Sequence, residues 1–77
     1  MAGVNKNVAG MRPGEVGIVS GFTDDHLSLK LMEMGCLPGS AVRFNFKAPL
    51  GDPICISVSG YELSLRLEEA AAISILN

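Results

Sequence analysis

The chain has 77 residues, short of the roughly 100 to 150 of a common domain, so it holds one compact unit and excludes a two-domain enzyme. Hydrophobic residues make up 48% and charged residues 18%, which excludes a disordered chain, and with no Trp, one Tyr and three Phe the core must be aliphatic. The net charge is −2, and Lys6, Arg12, Lys30, Arg43, Lys47 and Arg66 are scattered, so nothing clusters to displace the counterions of a nucleic acid.

Residues 1–10 carry Gly, Asn and Ala without apolar periodicity, which predicts a flexible leader and places the domain at 11–77. Arg12-Pro13-Gly14 signals a turn. The stretch 15–22 that follows, with Val16, Ile18 and Val19, reads as a first strand made irregular by Gly17 and Gly21. Over 24–34 the leucines fit either period, and the flanks select a helix. Thr23 or Asp24 can cap it, Asp24 and Asp25 suit its positive end, Gly35 offers a left-handed stop and Pro38 forbids continuation. Its buried stripe is then Leu27, Leu31 and Met34, with Leu29 and Met32 on the partly covered flank.

From 41 to 47 alternation is strict, with Val42, Phe44 and Phe46 facing one side. The loop 48–53 contains Pro49 and Gly51 at turn positions and predicts a hairpin. Ile54, Ile56 and Val58 alternate with Cys55, Ser57 and Ser59, which puts Cys55 on the outward face. After Gly60, Tyr61, Leu63, Leu65 and Leu67 alternate again. Residues 67–72 are helix-prone but suffice for a single turn, and 73–76 form a last short strand. The expected fold is therefore all-β with one short helix. It is a small SH3-like barrel of about five strands, with the helix between strands one and two, a helical turn before the last strand, and that last strand beside the first.

Three stretches resemble the FeoA family of small proteins associated with bacterial ferrous iron transport. Leu31-Met32-Glu33-Met34-Gly35-Cys36-Leu37-Pro38-Gly39-Ser40-Ala41-Val42 resembles its L-x-x-M-G-x-x-P-G-x-x-V pattern. Ala48-Pro49-Leu50-Gly51-Asp52-Pro53 resembles its A-P-x-G-D-P loop, and Leu65-Arg66-Leu67-Glu68-Glu69-Ala70 with Ile73 resembles its L-R-x-x-E-A-x-x-I close. Met11-Arg12-Pro13-Gly14-Glu15 is similar to the family's opening. The resemblance implies an SH3-like module that is not an enzyme and that modulates FeoB, the membrane protein that moves Fe²⁺ inward and carries a GTP-binding domain. Gly35, Pro38, Gly39, Pro49, Gly51, Pro53 and Arg66 are the matched motif positions, and the Gly and Pro residues among them have direct readings as turns. SH3-like domains similar to this one also end iron-dependent repressors, which makes a regulatory or metal-sensing domain the alternative reading.

The candidate residues point away from intrinsic chemistry. His26 is the only histidine and sits in the first helical turn, where a solvated or capping role is expected. One imidazole cannot build a two-His, one-carboxylate iron site. Cys36 and Cys55 lack the C-x-x-C spacing of a metal site and behave as small apolar residues. Asp24 and Asp25 are helix-start residues, and Glu68 and Glu69 are expected to pair locally with Arg66. No Ser or Cys has an evident base and no P-loop is present. We therefore expect no catalytic residue, no metal site and no cofactor. The longest apolar run, 70–73, is far below the ~20 residues of a membrane span, and the start lacks a secretory signal. The expected location is the cytoplasm, peripheral to the membrane only through the partner. What remains is a contact surface, with Leu29, Met32, Lys47, Leu50 and Asp52 as candidate partner-binding residues. Leu29 and Met32 could equally finish the core.

Overall fold

The computed structural model describes residues 6–76. In chain order it contains β1 (Lys6–Asn7), a 3₁₀ turn (Val8–Gly10), β2 (Val16–Phe22), α1 (Asp25–Glu33), β3 (Ala41–Lys47), β4 (Ile54–Val58), β5 (Tyr61–Leu65), α2 (Leu67–Ala71) and β6 (Ile73–Leu76). The strands form a single antiparallel sheet in the order β1-β6-β2-β3-β4-β5. As expected, the final strand lies against the first long one, with Val19 opposite Ile75 and Phe22 opposite Ile73.

The local signals for α1 act as the sequence implies. Asp24 is extended, and its carboxylate accepts from the backbone N–H groups of His26 at 2.8 Å and Leu27 at 3.2 Å. These are donors that the first turn leaves unpaired. The helix stops at Gly35, whose φ of 110° is a conformation that side chains rarely tolerate. Beyond it, the Pro38-Gly39 turn is stitched to β2, with Gly39 N–H donating to the Val19 carbonyl and Val19 N–H donating to that of Ser40. The irregularity expected in β2 is a register shift between Val19 and Gly21 against β6.

Three expectations need correction. Residues 6–10 belong to the fold, since β1 pairs with β6 and Val8 is fully buried among the core residues Met11, Val19, Leu31, Phe44 and Ile73. The leader therefore does not extend to residue 10, and the expectation for residues 1–5 lies outside the described residues. With β1, the sheet has six strands among the described residues, in keeping with the expected barrel of about five, and the expected helical turn before the last strand is the five-residue α2. Phe46 faces outward and is 57% exposed, because the β3–β4 register shifts between Phe44 and Phe46. This bulge at Asn45 puts Phe46 on the face opposite Phe44. Cys55 is buried on that outer face: it lies opposite Phe46 and Ser64, and the Asn45 amide lies 3.8 Å from its sulfur while donating to the Ser57 hydroxyl at 2.8 Å.

Candidate functional site

Two side-chain links converge on α2 from distant parts of the chain. Asp52, in the loop after β3, accepts from the backbone N–H of Leu67 at 3.0 Å and so satisfies one of the free donors at the start of α2. Glu69 accepts from Lys30 Nζ at 2.6 Å and from the backbone N–H of Arg66 at 2.8 Å. The loop and α1 are thus both tied to this short helix. Arg66 contributes its extended backbone at the helix start, not its guanidinium, so the expected local pairing of Glu69 with the Arg66 side chain is replaced by the bond to Lys30.

Glu69 is only 4% exposed, and a buried carboxylate is costly unless hydrogen-bonded in its charged form. The Lys30 hydrogen bond, seconded by the Arg66 N–H, holds its carboxyl below the usual carboxylate range against the opposing effect of burial. Cys36 is fully buried, and burial, reinforced by the negative charge of Glu69, pushes its thiol up. It is therefore kept protonated and unreactive, as a thiolate is needed for attack or soft-metal ligation.

The proposed contact residues fall around this scaffold. Leu50 is 97% exposed at the loop tip, and the loop is held by Gly51 N–H to the Ala48 carbonyl and Ala48 N–H to the Pro53 carbonyl. Leu29 is 63% exposed on α1, while Met32 is half-buried. Lys47 ends β3 and is exposed. Asp52 is exposed as well, yet its carboxylate already serves α2. Leu67, 45% exposed beside the Asp52 link, is a further exposed apolar side chain that the sequence reading missed. Its place in an alternating run made it look like core, and only the change from β5 to α2 turns it outward.

His26 is exposed on α1. Among the described residues no group of three His, Cys, Asp or Glu side chains could hold a metal ion, and no helix is long and apolar enough to cross a membrane. An open depression lined by Lys6, Gly10, Arg12, Pro13 and Glu15 is occupied electrostatically by its own residues. Lys6 pairs with Glu15, which also accepts from the Arg12 backbone N–H.

Comparison with known proteins places these features in a family. The model of the FeoA domain matches residues 6–76, the same segment that the structure shows folded. The solution structure of a FeoA-like protein from Clostridium acetobutylicum is 32% identical, covering 94% of this chain and 85% of that one, with a TM-score of 0.86. A FeoA from Stenotrophomonas maltophilia, crystallised with zinc and described as a procaryotic SH3 domain protein, is 24% identical, covering 92% and 89%, with a TM-score of 0.80. A manganese-dependent transcriptional repressor shares the fold at 17% identity and a TM-score of 0.86, covering all of this chain and 38% of the repressor.

Proposed function

Since the chain belongs to the FeoA family, whose members are tied to ferrous iron transport, we propose that it is an accessory protein of bacterial ferrous iron uptake. It docks on the cytoplasmic part of a FeoB-type transporter and modulates it through protein contacts. The observation that carries this reading is Leu50, a large apolar side chain 97% exposed on a loop pinned by backbone bonds and by the Asp52 link to α2. A leucine held in water on a fixed support is ready to be buried by a partner at little entropic cost. Leu29 and Leu67 extend the apolar contribution from the two helices. The movement of iron is then the transporter's chemistry, and this chain supplies shape and a contact patch. A sensor role like that of the repressor rests on a shared fold alone.

Titrating the purified chain against the transporter's cytoplasmic domain tests the proposal. We expect Leu29→Glu and Leu50→Glu each to weaken binding by about tenfold, since burying a charge in an apolar contact costs more than losing the contact. The circular dichroism spectrum should be unchanged. Undiminished binding by both variants would move the contact to another face.

A further inference from the structure

A series of polar contacts runs from α1 to the loop 48–53 and ends beside Leu50. It starts on a firm support, since α1 is anchored in the core by Leu31, which is fully buried, with Leu27 and Met34 packed against the same cluster. The residue before Leu31 is Lys30, whose Nζ donates to Oε2 of Glu69 at 2.6 Å. The other carboxylate oxygen, Oε1, accepts from the Arg66 N–H at 2.8 Å. The N–H of the following residue, Leu67, donates to Asp52 at 3.0 Å. Two consecutive donors at the start of α2 are therefore held by two different parts of the chain. Of the three pieces, α2 is the one that cannot stand alone, because a helix of five residues makes too few bonds to offset the cost of nucleation.

Glu69 couples these contacts because its two oxygens have separate tasks. Its side chain is 5% exposed, whereas that of Lys30 is 58% exposed. A carboxylate so enclosed stays in place as a charge while a cation balances it. Without the Lys30 cation, the carboxylate gains by turning toward water, and in doing so it releases the Arg66 N–H. The backbone at the start of α2 then loses the geometry that aims the Leu67 N–H at Asp52. We propose that Lys30 is a positioning residue for Leu50, acting through Glu69, α2 and Asp52 to hold the loop 48–53 in place. The coupling is a property of the isolated chain, and only its effect on docking rests on the contact role proposed for Leu50.

Amide hydrogen exchange of the isolated chain, followed by NMR, reads the coupling. The Gly51 and Ala48 N–H groups, bonded to the Ala48 and Pro53 carbonyls, report on the loop, and the Phe44 N–H, bonded to the Glu15 carbonyl, reports on the sheet. In Lys30→Met we expect exchange at Leu67, Ala48 and Gly51 to rise roughly fivefold relative to Phe44, as local opening does without global unfolding. Lys30→Arg, which keeps the cation and its donors, should return exchange to near the wild-type rate. Adding Lys30→Met to Asp52→Ala should speed the loop little further, because the path is already cut. A rise confined to α2, a rise of equal size at Phe44, exchange as fast in Lys30→Arg as in Lys30→Met, or full additivity with Asp52→Ala would each overturn the proposal. Binding to the transporter's cytoplasmic domain separates the two readings. If Lys30→Met loosens the loop yet binds undiminished, the coupling stands and Leu50 is not part of the contact.

Discussion

At the scale of single residues, Glu69 carries the most consequential charge. Its carboxyl titrates below the normal range in the folded protein, through Lys30 first and the Arg66 N–H second. Its ionised form therefore contributes stability above the unfolded carboxylate value of about 4.3, and that contribution is lost as the pH falls through the lower folded value. Glu69→Gln should cost about 1 to 2 kcal/mol at pH 7, a typical loss for a hydrogen bond to a charged group. The gap to wild type should close in the acid range, which denaturant melts at pH 7, 5 and 3 would reveal. A gap that is constant with pH would mean that the carboxylate charge is not what matters. The Lys30 bond was not legible from local sequence, because Lys30 lies 39 positions from Glu69 and only the fold brings them together. The capping by Asp24 was legible, because the N–H donors it accepts from are two and three positions away.

At the scale of elements, the loop 48–53 and α2 behave as one unit. A five-residue helix is far too short to hold itself together in water. It is sustained by Asp52 at one end, by the Glu69 bond to the Arg66 N–H, and by the burial of Ala70. Asp52→Ala should cost about 1 kcal/mol, as loss of a helix cap does. It should also raise hydrogen exchange at Leu67 and along α2 more than in β3 or β4. If Asp52 acted solely as a contact residue, global stability and exchange would not change. The motif positions Gly35, Pro38, Gly39, Pro49, Gly51 and Pro53 were readable as turns because turn chemistry is local. The outward rotation of Phe46 and the burial of Cys55 were not, since the bulge at Asn45 arises from pairing with β4 and leaves the alternating pattern of β3 intact.

At the scale of the whole molecule, the core reaches further toward the start of the chain than periodicity suggested. Val8 stands in a stretch without alternation, and its burial comes from the 3₁₀ turn that lies against α2 after β1 pairs with β6. Val8→Ala should destabilise the protein by about 2 kcal/mol, from lost methyl burial plus the cavity left behind. Urea titration measures this, and a value near zero would show that the segment adds nothing to the fold. The barrel class itself was legible from the number and spacing of short strands, whereas the extra edge strand was too short to leave a pattern.

The position of β6 between β1 and β2 also bears on how the protein is made. While the chain is emerging from the ribosome, Lys6–Asn7 and one side of Val16–Phe22 have no neighbour to bind until residues 73–76 arrive. The N-terminal strands must wait, with apolar side chains uncovered, until the residues of β6 have been made. Closure is therefore a late event, governed by the meeting of distant segments and slower than helix-by-helix assembly.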